Sequence, residues 1–162
     1  MLNSKVGERF AALQPGADLG ASPWVTVTQS MIDGFGSVTL DPDPMHIDPE
    51  WARANGPYDG TIAFGFLTIS LLTHLLHATL GTGHDRDAGH SGHYLNYGFD
   101  RLRFVAPVRA GKRIRGRFKV LDCKRDERQR LMTTFDCTVE IEGEERPALS
   151  AQWLTVWVPP ER

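Results

Sequence analysis

Only two cysteines, Cys123 and Cys137, occur among the 162 residues, so no disulfide framework organises the chain, and a reducing compartment suits it. An excess of one charge sign is also missing: 18 basic against 20 acidic side chains leave a formal net charge of −2. No general field therefore draws the protein to nucleic acid or to a membrane surface. The opening "MLNSKVGERFAAL" has neither the apolar run nor the small-residue cleavage pattern of a secretory signal, and a cytoplasmic location is expected. The longest apolar stretch, "FGFLTISLLTHLLHATL" from Phe64 to Leu80, is interrupted by Thr68, Ser70, Thr73, His74 and His77. It falls short of the roughly 18 unbroken apolar residues that a spanning helix needs, so no membrane span is expected.

What is present is the composition of a folded protein, 41% hydrophobic and 23% charged, at a length that suits one domain over residues 1–162. Residues 1–22 read as a short helix and a Pro/Gly loop, "WVTVT" (Trp24 to Thr28) as a strand, and "QSMIDGFGSVTL" as a modest helix weakened by Gly34 and Gly36. "PEWARAN" carries a proline suited to a first helical turn. Beyond Asn96 four β-rich runs follow: "NYGFDRLRFVAPV", "KRIRGRFKVLDCK", "RLMTTFDCTVEIEG" and "ALSAQWLTVWV".

The second and third runs specify a hairpin through their charges. With a turn centred on "DERQ", Asp126 to Gln129, Arg113 faces Glu142, Arg115 faces Glu140 and Lys119 faces Asp136. On the other face Ile114 meets Ile141, Phe118 meets Cys137 and Val120 meets Phe135. A slip of one residue would scramble both faces. The expected helix from about Phe66 to Leu80 is apolar nearly all round and must be buried on most sides. The economical architecture is α+β, a curved antiparallel sheet wrapped around one long central helix, which is the hot-dog fold; the alternative is a helix laid on a flat sheet, which leaves part of its apolar surface exposed unless a second subunit covers it.

The densest chemistry lies in "DPDPMHID", Asp41 to Asp48. An aspartate and a histidine five apart across a proline-stiffened turn can aim at one small volume, where they could handle water and a proton. A solvated Asp-Pro turn and a metal site are the alternatives. The metal reading fails the EF-hand template, because Met45 and His46 fill its fifth and sixth positions and Ala52 its twelfth. Downstream, "GPYDGTIAFGFLTISLL" feeds Gly60 and Gly65 into the apolar helix. A helix start offers free N–H groups, and glycine lets a carbonyl oxygen come close to them, the makings of an oxyanion site.

"TLDPDPMHIDPEWA" followed by "GTIAFGFLTISLL" resembles the MaoC-like, R-specific enoyl-CoA hydratase/dehydratase family, whose motif is Asp-x-Asn-Pro-x-His with a later Ala-His-Gly. "SPWVTVTQSMID", "NYGFDRLRFVAPVRAG" and "VEIEGEERPALSAQWL" are similar to its nodulation-protein-N-like branch. The resemblance implies a hydro-lyase working across the 2,3 bond of an acyl-CoA or acyl-carrier-protein thioester, with no metal or organic cofactor. It implies a catalytic Asp41 and His46, with the Gly65 N–H as oxyanion donor. Asp43 and Phe64 would border the substrate, unless Asp43 simply caps the approach to "PEWARAN"; Tyr97 would line the acyl tunnel or fill the core; and Arg101 and Arg103, or Arg109 and Lys112, would meet the carrier's phosphates or form a plain solvated strand face. A homodimer is expected, since sheet edges and helix both want cover. A thioesterase on the same fold and a non-catalytic acyl-CoA-binding protein are the competing readings. Three positions depart from the pattern: Leu40 for glycine, Asp43 for asparagine and Phe64 for histidine. A lid over the acyl chain is one reading of the segment holding His84, His90 and His93, and His74 and His77 read as packing histidines.

Overall fold

The structure is a computed structural model that describes residues 9–82 and 92–159. His84 and His90, and with them most of the lid reading, lie outside the described residues. The strands are β1 (Asp18–Ala21), β2 (Val25–Thr26), β3 (His93–Phe104), β4 (Arg113–Arg125), β5 (Leu131–Ile141) and β6 (Leu149–Val158). Between β2 and β3 come helices α1 (Gln29–Thr39), α2 (Pro44–Ile47), α3 (Pro49–Asn55), α4 (Gly65–Ser70) and α5 (Leu72–Leu80).

One antiparallel sheet runs in the order β1-β4-β5-β6-β3, with the short β2 also on β4. Along β4, β5 and β6 burial alternates residue by residue, so one face of the sheet turns inward. Ile114, Phe118, Val120, Phe135, Val139, Leu149 and Trp153 form that face and meet Leu72, Leu75 and Leu76 of α5 in a continuous core. A side chain on Gly116 would come within 3.1 Å of the Leu75 Cβ, so this glycine sets how closely the helix approaches β4. The result is the hot-dog arrangement of sheet and central helix.

The charge-read hairpin is there in its expected register from Ile114↔Ile141 to Val120↔Phe135. Arg113 pairs with Glu142, while Glu140 takes both Arg115 (2.6 Å) and Arg117 (2.5 Å). Such outward-facing pairs are screened by solvent and contribute little, so the buried face does most to hold the register. Cys123 opposes Thr133 and Cys137 opposes Phe118, and both thiols are free. Burial pushes the Cys137 thiol well above its ordinary range.

Several boundaries differ from the sequence reading. A bulge at Leu121 shifts the pairing to Asp122↔Thr134, so the turn closes between Asp126 and Arg130 with Gln129 left-handed at φ 61°. Asp18–Ala21, read as loop, is a strand, whereas "WVTVT" keeps only Val25–Thr26 because Thr28 caps α1. β3 begins at His93, which therefore lies in a strand and not in the glycine-rich loop. The long helix is divided at Leu71, although the Leu71 N–H still reaches the Leu67 carbonyl at 3.1 Å.

Leu75 is fully buried at the helix–sheet contact. Leu75→Ala should lower unfolding free energy by about 2–5 kcal/mol in urea titration. A loss below 1 kcal/mol, on the order of a surface change, would mean that this contact does not hold the core.

Candidate active site

The Asp41–Asp48 stretch resolves into two helix starts joined end to end. Asp43 is the N-cap of α2, its carboxylate accepting from the Met45 N–H at 2.9 Å. Asp48 caps α3 in the same way, accepting from Glu50 (3.1 Å) and Trp51 (2.9 Å). Proline follows each cap at the first helical position, where its missing N–H costs nothing. Both carboxylates are thus engaged with backbone donors, and Asp43 is exposed at a capping position.

α2 carries His46 toward the start of α4. Its Nδ1 lies 2.7 Å from the Ile62 carbonyl oxygen. A carbonyl can only accept, so in neutral His46 the proton sits on Nδ1 and Nε2 keeps its lone pair. The Ile62 carbonyl is itself held, because the 61–63 segment pairs with 108–110: Ala63 donates to Val108 (2.7 Å) and Ala110 to Thr61 (3.0 Å).

His46 and Gly65 line one cavity of about 360 Å3, together with Ile62, Phe66, Thr68, Phe104, Pro107 and Val108 among others. That volume is within the usual range for small-ligand sites, roughly 300–1,000 Å3. Gly65 opens α4, and no side chain caps the helix there, so its first N–H groups lack intrahelical partners. A Cβ on Gly65 would stand 2.8 Å from the Phe104 ring, so glycine permits the aromatic wall and the bare backbone to meet.

Asp41 lies elsewhere. It lines a separate hollow with Asp33, Gly36, Ser37, Leu40, Pro42 and Ile47, and its carboxylate accepts from the Asp43 N–H at 3.3 Å. The structure therefore brings His46 and Gly65 together and leaves Asp41 outside their cavity. Phe64, buried at 5% exposure, spans the two places. Its ring lies against His46, centroids 3.9 Å apart, and its tip reaches Gly36, where the Asp41 carbonyl also arrives. Leu40 holds the left-handed conformation at φ 58° and is almost fully exposed.

The remaining expected substrate contacts are displaced. Tyr97 is 68% exposed at one bulge of β3, and Arg101, with φ 53°, occupies another. Arg103 is exposed and donates to the Leu102 carbonyl. None of the three lines the His46–Gly65 cavity: Tyr97 and Arg101 sit at bulges, Arg103 pairs in register with Ser150, and all three are exposed on β3, the last strand of the sheet. Arg109 and Lys112 instead line two hollows beside it, one of which shares Pro107 with the cavity. His77 is buried and bonded to Thr82 at 2.8 Å, whereas His74 is exposed.

The family model described as "MaoC like domain" matches residues 10–140. The chain belongs to the MaoC-like family. Within this family it is similar to nodulation protein N of Rhizobium leguminosarum bv. viciae, 45% identical over 141 residues, covering 87% of this chain and 84% of the relative. It is also similar to 3-hydroxyacyl-thioester dehydratase Z of Mycobacterium tuberculosis, 35% identical over 147 residues, covering 91% and 93%. Among solved structures, one described as a monoamine oxidase regulatory protein from Archaeoglobus fulgidus superposes with a TM-score of 0.74 at 24% identity, covering 93% and 95%. The MaoC-like chain thus sits in a nodulation-protein-N-like branch of a dehydratase family, with the fold of both.

Phe104 is 51% exposed, so its ring can swing away from an added methyl at 65. Gly65→Ala should therefore keep stability within about 1 kcal/mol in urea titration, while a crystal structure shows Phe104 moved. A loss well beyond that would mean the aromatic wall is fixed.

Proposed function

We propose that this MaoC-like protein is a hydro-lyase that adds or removes water across the 2,3 bond of an acyl-CoA thioester, of the (R)-specific enoyl-CoA hydratase type. The observation that carries the proposal is the shared cavity of His46 and Gly65, a basic nitrogen and an uncapped amide within one largely apolar hollow. The likeness to a 3-hydroxyacyl-thioester dehydratase supports the same chemistry.

In the hydration direction the thioester oxygen accepts from the Gly65 N–H. His46 Nε2 takes a proton from water as the water oxygen bonds to C3. The C2–C3 π electrons pass into the carbonyl as an enolate, held by the amide. The proton then moves from the imidazole to C2 on the same face, and the thioester re-forms. One oxyanion donor of this kind is worth about 3 kcal/mol, a hundredfold or more in rate.

Asp41, the second group of the family motif, would share the proton transfers with His46 only after leaving its bond to the Asp43 N–H and moving with its loop past Phe64. That bond, at 3.3 Å, is at the long end for an N–H donor and yields cheaply. Arg109 and Lys112 stand in the neighbouring hollows where the phosphates of the carrier would lie. The working form is a cytoplasmic homodimer. β3 is the last strand in the sheet order and exposes Leu95, Tyr97 and Phe104, an apolar edge suited to a second copy.

The enoyl absorbance of crotonyl-CoA should fall on adding the protein, without release of free thiol. His46→Ala and Asp41→Asn should each lower turnover at least about a hundredfold with the fold intact by circular dichroism. Free-thiol release instead would identify a thioesterase, and no change against a panel of enoyl thioesters would leave a binding protein. Full turnover in His46→Ala would remove the assignment.

A further inference from the structure

Gln29 is the first residue of α1, within the family-like stretch "SPWVTVTQSMID" but outside the Asp41–Asp48 motif. Its side-chain amide uses both donors and its acceptor at once. Nε2 donates to the His46 backbone carbonyl at 2.8 Å and to the Asp33 carboxylate at 2.8 Å. Oε1 accepts from the Thr61 hydroxyl. The orientation of the amide follows from its partners. The His46 carbonyl and the Asp33 carboxylate can only accept, so the nitrogen must face them and the oxygen must face Thr61.

The two segments joined by this amide are those that hold the imidazole. One is the His46 backbone. The other is Thr61, whose next residue, Ile62, offers the carbonyl that binds His46 Nδ1 at 2.7 Å. Thr61 is 4% exposed, and its backbone is tied to Ala110 at 3.0 Å. The Ile62 N–H in turn reaches the Met45 carbonyl at 3.4 Å. The ring of His46 is therefore fixed at its nitrogen by one strand-like segment, and that segment is locked to the His46 backbone through α1.

We propose that Gln29 and Thr61 are positioning residues for His46: they set the spacing between the His46 backbone and the Ile62 carbonyl, and so keep the proton on Nδ1 and the lone pair on Nε2. An amide is the side chain this place demands. A glutamate would set oxygen against the His46 carbonyl and the Asp33 carboxylate, and a lysine would offer no acceptor for the Thr61 O–H. The consequence for catalysis rests on the hydratase reading above, whereas the consequence for the imidazole does not.

The test is a set of variants read in two ways, by steady-state kinetics with crotonyl-CoA and by 15N NMR of the histidine rings above the titration of His46. The unsubstituted chain should show His46 protonated on Nδ1. Gln29→Ala and Thr61→Val should mix the two neutral tautomers and lower kcat by about tenfold to a hundredfold; both residues also line the hollow of Arg109 and Lys112, so the tautomer and kcat, not KM, carry the test. Thr61→Ser, which keeps the hydroxyl, should restore both readings. A chain that does not hydrate crotonyl-CoA would remove the hydratase reading and leave the NMR to judge the clamp. If Gln29→Ala does not fold, the pair Thr61→Val and Thr61→Ser decides alone. An unmixed Nδ1–H tautomer in the folded Thr61→Val protein, or a Thr61→Ser protein as impaired as Thr61→Val, would overturn the proposal.

Discussion

A helical segment with leucine or isoleucine at 67, 69, 71, 72, 75, 76 and 80 leaves only a narrow stripe, Phe66, Ser70 and His74, to face water. The rest of the fold answers that constraint. Each fully buried leucine side chain contributes about 1.5–3 kcal/mol, so leaving one face of this helix bare would cost a large part of a marginal stability. The sheet therefore closes over it, with Gly116 allowing β4 to approach Leu75 and the alternating faces of β5 and β6 supplying Phe135 and Trp153. Leu72, Leu75 and Leu76 are sealed against the sheet while Phe66, Ser70 and His74 form an exposed stripe, and at the first turn of α4 the backbone N–H groups meet a cavity. Gly65 stands there, and α2 brings His46 to the same place.

Much of this could be read from residue order, for physical reasons that differ from element to element. The β4–β5 register was legible because opposite charges on one face and apolar pairs on the other constrain it twice over. The bulge at Leu121 was not, since one extra outward-facing residue near a turn leaves the alternation intact on either side. β1, "DLGA", lacks the β-branched and aromatic residues that mark a strand and is held by its pairing with β4. The division at Leu71 leaves no trace in an apolar pattern that continues straight through it.

In the site the motif marked the right segment but not the direction of each side chain. The short helix Pro44–Ile47 and the bond to Ile62 fix where His46 points, whereas Asp41 stands before the cap and turns into its own loop. Phe64 illustrates how a substitution can redirect a site without unfolding it. Its ring fills space beside His46 and touches the Asp41 segment through Gly36, so a position that carries histidine elsewhere in the pattern here carries a wall. Gln29 was invisible to motif reasoning because its partners lie 17 and 32 residues away, and only folding brings them together. The arginines of β3 are exposed on the last strand of the sheet, and alternation alone does not separate a solvated strand face from a phosphate-binding one.

The central claim is that an acyl thioester lies in the cavity between His46 and Gly65. A crystal structure with a bound 3-hydroxyacyl-CoA tests it most directly. The account places the thioester oxygen within hydrogen-bonding distance of the Gly65 nitrogen and the 3-hydroxyl beside His46 Nε2. A thioester lodged in the hollow lined by Asp41 and Leu40, with the His46 cavity empty, would contradict it.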